Sequence, residues 1–269
     1  MNFTEFEKAL IKRSYELTDL IFEMERAFDR PFYHYTSNES SQKIIASQQF
    51  KMSFIRSTSD PLELSLILAT CRDALCFTEN WDGSVFPKEL FKHFNDEALD
   101  PIVRPYFISM TESPSEPFLM NNYGGAVIEF SADCDFVDTK GLFADRFRVI
   151  KCRYENDLKK FVEDQISRWG AEVLSPTLKE FGIQSHLVDI NSWHFALMEF
   201  CFTLALGLKS KAYFPEKEHR LLFIPRDPDV SMEFYVRRSL HPSKSRFERQ
   251  REYLTLNLSK CGLKAKRIR

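Results

Sequence analysis

Three kinds of side chain in this sequence could serve one reaction: paired carboxylates, an imidazole and a set of hydroxyls. The carboxylates stand in "AYFPEKEHRLLFIPRD", residues 212–227, where Glu216, Glu218 and Arg220 alternate ahead of the apolar run Leu221–Ile224. Alternate residues of a strand share a face, so a strand here sets two carboxylates and a guanidinium side by side. Such a pair suits a reaction that builds positive charge, and carboxylates are costly to bury unless paired or used. The plainer alternative is a solvated strand edge beginning after Pro215. There Glu218 and Arg220 would form a surface ion pair of little energetic weight.

The imidazole is His34, in "YHYTS". A histidine between two aromatics on a strand is ordinarily a hydrogen-bonded core or edge residue. The "TSNESS" that follows can also offer hydroxyls and a helix N-terminus to an anion. Ser109 and Thr111, in "FISMTES", share one face at a strand end, which ordinary polar-out alternation also explains. Tyr123 precedes Gly124 and Gly125 in "FLMNNYGG". It brings a stacking face and a hydroxyl beside residues that allow a sharp bend or a close approach. A tight turn with a packed tyrosine is the alternative.

Other chemistries find less support. The six cysteines form no CxxC pair and no His/Cys metal spacing, and neither His186 nor His194 has a carboxylate at i, i+4. No metal site is predicted. Reduced, buried cysteines in a cytoplasmic protein are the expectation. The sequence holds no GxGxxG, P-loop, GxSxG or HExxH. The N-terminal "MNFTEFEKAL" reads as a charged amphipathic segment, not a signal peptide. The longest apolar run, Phe195 to Gly207, is interrupted by Glu199 and is too short to span a bilayer.

The elements that must position these residues are helices and strands in irregular alternation. Phe6, Leu10, Leu17, Ile21, Met24 and Phe28 recur at helical spacing behind a Thr4-x-x-Glu7 capping box, which predicts a helix through residue 28. "FYHYT" reads as a strand, "SSQKIIASQ" as a short helix and "KMSF" as a short strand. Asp60-Pro61 opens a helical stretch, and "FPKELFKHFNDEAL" is another. "RPYFISMT" and "AVIEF" are strands flanking a loop from Glu112 to Gly125, and "RFRVIKCRY" is a further strand. Two long helical patterns cover roughly 155–182 and 186–208. "MEFYVRR" is a strand, and a basic helix runs from about Ser243 to Cys261, within a basic helix and tail over 243–269.

With 8 glycines and 26 phenylalanines in 269 residues, the composition favours long helices over a turn-rich all-β fold. Without a βαβ rhythm or a clean linker, residues 1–269 read as a single α+β domain. A central mixed, mainly antiparallel sheet is surrounded by helices. The net charge of -2 hides a polarity: Val236–Arg269 carries eleven Lys/Arg against two Asp/Glu. That basic end suits a solvated face. Its other use is binding an acidic partner or nucleic acid through Arg246, Arg249 and Arg251.

In sequential order, "YHYTS…KIIASQQFKMSFIRSTSDPLE", "YFISMTES…LMNNYGGAVIEF", "RVIKCRY" and "KSKAYFPEKEHRLLF" resemble a bacterial family known as domain of unknown function 2971. The resemblance covers most of the chain from Tyr33. Asn121, or Met120 in a shifted alignment, stands where that family carries Trp. The order His, then Ser and Tyr, then Glu is also remotely similar to the ADP-ribosyltransferases. That resemblance implies NAD as a substrate. His34, with Tyr35 and Thr36 beside it, would hold the adenosine ribose. Ser109 and Thr111 would line a split between strands, and Tyr123 would stack on the nicotinamide. Glu218 would be the acid residue and Glu216 would orient the acceptor. Arg220 would position Glu218 or bind a diphosphate oxygen.

Two functional expectations follow. One is an NAD-dependent ADP-ribosyltransferase or NAD glycohydrolase. The other is a non-catalytic sensor or interaction module of a stress or defence system, binding through the basic end. A nucleic-acid-processing enzyme needs a metal or nucleophile cluster, for which the spacing gives no support.

Overall fold

A computed structural model of the chain describes residues 5–22, 30–54, 67, 69–71, 73, 106–132, 147–183, 191–223, 235–241, 251–259 and 262–268. They fall into two compact units, each woven from three separate stretches. Met1–Glu23, Leu62–Val103 and Arg153–Lys211 make the first; Met24–Pro61, Arg104–Cys152 and Ala212–Arg269 make the second.

The first unit is mainly helical. Helix α1 (Glu5–Phe22) buries Phe6, Leu10, Leu17 and Ile21, the stripe its spacing predicts. The capping box at Thr4 and the continuation past residue 22 lie outside the described residues. So do His186, the "FPKELFKHFNDEAL" segment and the Asp60-Pro61 start.

One near-continuous helical run follows the short strand β6 (Arg153–Glu155). It comprises α4 (Leu158–Trp169), a π-helical turn (Gly170–Leu174) and α5 (Ser175–Glu180). Pro176 accounts for the wide turn: it has no N–H to offer the preceding turn, and Ser175 N–H donates to the Gly170 carbonyl instead. Trp169 Nε1 donates to Ser14 Oγ at 2.8 Å, tying the run to α1. Helix α6 (Asn191–Gly207) carries Glu199, whose carboxylate accepts the Tyr15 hydroxyl at 3.0 and 2.9 Å. The chain leaves α6 into β7 (Leu208–Ser210), which pairs in parallel with β6.

The second unit holds the two larger sheets. A three-stranded antiparallel sheet runs β1 (Phe32–Thr36), β4 (Ala126–Ala132), β11 (Leu263–Arg267). A six-stranded antiparallel sheet runs β5 (Phe147–Lys151), β8 (His219–Phe223), β3 (Tyr106–Met110), β2 (Gln49–Phe54), β10 (Arg251–Asn257), β9 (Tyr235–His241). Helix α2 (Asn38–Ser47) follows β1, with Ser37 as N-cap accepting from Ser40 N–H at 3.1 Å. Helix α3 (Pro117–Tyr123) lies between β3 and β4. The mixed helices and antiparallel sheets are those of an α+β fold, as composition and rhythm predict.

Three predicted elements are corrected. The loop expected over Glu112–Gly125 contains α3, which Pro117 starts at a position where a missing N–H costs nothing. The strand expected from Glu216 starts at His219 instead, after a 3₁₀ helix (Lys211–Glu216) that contains Pro215. The basic helix expected to reach Cys261 is a strand over Arg251–Asn257. Leu254 and Leu256 are buried at period two there, and β-forming Tyr253 and Thr255 alternate with them. Arg246 and Arg249 lie outside the described residues, and Arg251 opens a strand interior to the six-stranded sheet.

Candidate functional site

The two sheets of the second unit part company at β3. Tyr33 and Thr111 form one antiparallel bridge, with N–H···O bonds of 2.8 and 2.9 Å. Strand β2 meets the other end of β3, at Phe107 and Tyr106. Between those two attachments sits Ser109, where β3 changes neighbours. Peptide groups two residues apart point to the same strand edge, so the Ser109 carbonyl faces the gap, as Thr111's faces Tyr33. His34 Nδ1 takes that carbonyl at 2.9 Å. The imidazole thus stands where the next backbone amide of β1 would otherwise bond.

A carbonyl only accepts, so Nδ1 carries the proton and Nε2 of a neutral ring is an acceptor. Burial lowers the His34 pKa, with the Ser109 carbonyl opposing, which keeps the ring neutral near pH 7. The ring is half-buried and packs edge-on against Phe50 and Phe130, centroids 4.8 and 6.4 Å away. Tyr35 is buried with Leu119 and Val127. Its hydroxyl donates to the Ser113 carbonyl at 2.9 Å and accepts the Glu116 N–H at 2.7 Å. That side chain braces the start of α3.

Ser109 also reaches the carboxylates. Its hydroxyl donates to Glu218 Oε1. Arg220 Nε donates to the same oxygen at 2.7 Å, and Nη2 approaches Oε2 at 3.4 Å. The guanidinium lies over the Phe107 ring, 4.9 Å from its centroid. Glu218 and Arg220 are 5% and 6% exposed, so the surface ion pair considered from the sequence is a buried one. The Glu218 carbonyl accepts from Cys152 N–H at 2.9 Å, which fixes the backbone ahead of β8.

Glu216 faces elsewhere. It ends the 3₁₀ helix, is 6% exposed, and accepts the Tyr123 hydroxyl at 3.1 Å. Lys217, between the two acids, adopts φ +45°, a left-handed conformation. Its ammonium pairs with Glu116 at 3.1 Å. The two carboxylates are therefore set by a sharp turn rather than by strand alternation.

Hydrogen bonds thus bring His34, Ser109, Glu218 and Arg220 together, and Glu216 joins Tyr123 two residues away. Thr111 is the residue bridged to Tyr33. It is buried, and its hydroxyl accepts from Ser113 N–H at 3.4 Å. Thr36 ends β1, and its carbonyl lies against Gly124: a Cβ there would stand 2.7 Å from that oxygen. Sequence reasoning passed over Glu112, Arg30 and His219. His219 directly follows the acid pair, and its position in "EKEHR" was the available signal.

Among the described residues no group of three His, Cys, Asp or Glu could hold a metal ion, and no helix is long and apolar enough to cross a membrane. Comparison with protein-family models, curated proteins and solved structures returns no match.

Proposed function

We propose that the second unit breaks the nicotinamide–ribose bond of NAD, passing the ADP-ribosyl group to an acceptor or to water. The observation that supports this reading is the fixed carboxylate of Glu218, held by Ser109 and Arg220 at the gap between the sheets. The scissile C1′–N1 bond leaves its electron pair with nicotinamide, which departs neutral and needs no strong acid. The ribose acquires oxocarbenium character, as in glycoside cleavage. Glu218, accepting a ribose hydroxyl proton, would stabilise that charge in a site that needs no rearrangement. The acceptor then bonds to C1′ and sheds a proton.

The other residues take supporting parts. His34, neutral with Nε2 as acceptor, would take a hydroxyl of the adenosine ribose. Tyr123 is half-exposed beside Glu216, and its ring would cover the nicotinamide while Glu216 orients the acceptor. Arg220, stacked over Phe107 and bonded to Glu218, fits positioning that acid better than reaching a diphosphate.

The test uses NAD labelled separately in its nicotinamide and adenosine halves. Release of nicotinamide should fall about 100-fold or more in Glu218→Gln. Glu216→Gln should lose transfer to an acceptor while keeping hydrolysis. No release by the wild-type chain, across candidate acceptors and with water alone, overturns the reading.

A further inference from the structure

His219 follows Glu218 directly and takes no part in the contacts that hold it. Its side chain is 3% exposed and lies against Phe32, with ring centroids 5.3 Å apart. Each ring nitrogen faces an acceptor. Nδ1 is 3.4 Å from the Lys217 carbonyl oxygen, and Nε2 is 3.0 Å from Glu112 Oε1. The second approach is a close contact, yet Nε2 makes no hydrogen bond in it. A neutral imidazole has one N–H and cannot serve both acceptors; an imidazolium can.

The charges around the ring come from several elements. Glu112, beyond β3, also binds Arg30 at 2.6 Å. Lys151 stands opposite His219 in the β5–β8 ladder. Burial, above all, holds the ring below its ordinary pKa; Glu112 and the Lys217 carbonyl oppose this, and Lys151 and Arg30 add to it. The ring is therefore neutral near pH 7 and gains its second N–H only in acid.

The Lys217 carbonyl belongs to the peptide that joins Lys217 to Glu218. Lys217 sits at φ +45°, and tilting that peptide changes the direction in which Glu218 leaves the turn. A donor that tightens on that carbonyl therefore turns Glu218 relative to Glu216. We infer that His219 is a proton-responsive positioning residue, which on taking up a proton grips the Lys217 carbonyl and Glu112 together and resets the turn carrying both acids. Only its catalytic consequence rests on the NAD reading above; the change in the turn does not.

Side-chain NMR of the full chain with labelled histidine and tyrosine tests this between about pH 4.5 and 8. The His219 ring should titrate below the ordinary value of about 6.5. The Tyr123 ring signals, tied to Glu216, should shift with the same midpoint. Glu112→Gln removes the carboxylate that favours the charged ring and should lower both midpoints together, by about one unit. His219→Asn should abolish the Tyr123 shift. Tyr123 signals that ignore the His219 titration, or still shift in His219→Asn, overturn the inference. Should His219→Asn not fold, the comparison of wild type with Glu112→Gln decides alone: midpoints moving together support it, and an indifferent Tyr123 overturns it. The NAD assay keeps the two ideas apart. An inactive chain whose signals titrate together sinks the chemistry alone, and an active chain with an indifferent Tyr123 sinks this inference alone.

Discussion

Arg220 is the side chain on which the acid cluster depends. Removing one partner of a buried ion pair strands the other charge in a poorly solvating interior. Arg220→Ala should therefore destabilise the second unit by about 3–5 kcal/mol, read as a lower urea midpoint. Replacing Glu218 and Arg220 together by apolar residues of similar volume should recover most of that loss, because no bare charge remains. A single replacement no worse than the double would contradict the buried pairing. His34 makes a separate demand. Its folded pKa is lowered, so its stabilising contribution is full above the unfolded value of about 6.5 and is lost as pH falls towards the folded value. The thermal midpoint should fall on acidification below that value, and less steeply in His34→Gln. The residue types of this cluster were legible in the sequence, but their burial was not. Alternation tells which side chains share a face, whereas what holds Glu218 and lies against Arg220 comes from Ser109 and Phe107, more than a hundred positions earlier.

At the level of elements, the acid pair depends on two pieces that sequence patterns hid. One is α3, read as loop because a seven-residue helix is too short to display a period. The other is the turn at Lys217: strand alternation puts Glu218 beside Arg220 but hides that Glu216 ends a 3₁₀ helix and bonds Tyr123, with only Arg220 of the three on the strand. Helix α3 leads into Gly124, which combines φ +115° with backbone so close that a Cβ would meet the Thr36 carbonyl oxygen at 2.7 Å. Gly124→Ala should cost about 1–3 kcal/mol. Tyr123 NMR signals should move with it, since the same residues carry that ring to Glu216. Gly125 is the matched control: a Cβ there meets nothing within 4 Å, and Gly125→Ala should leave the unfolding midpoint nearly unchanged. Equal effects at the two glycines would mean that the close approach to β1 does not shape the site.

At the scale of the whole chain, the pairing order sets when the site can exist. Strand β1 bonds to β4, β2 to β10, β3 to β8 and β4 to β11, so the sheets of the second unit close only with the last stretch of sequence. The unit is also interrupted twice, by residues 62–103 and by 153–211 of the first unit. That interleaving is why composition offers no linker between the units: neither unit is one continuous stretch of sequence. Non-local antiparallel pairings must bear the entropy of long loops before any contact repays it. Chains cut after residue 223 contain β1, β3, β5 and β8, and with them His34, Ser109, Glu218 and Arg220. They lack β10 to cover β2 and β11 to cover β4. Such chains should remain open to proteolysis within 106–151 and give no cooperative unfolding transition. Chains reaching residue 268 should be protected. Protection measured on a series of C-terminal truncations should rise in one step, as β10 and β11 are included, rather than strand by strand. Early protection in chains ending at 223 would show that the split bearing Ser109 forms without β10 and β11, and the acid cluster would then be separable from the sheet that encloses it.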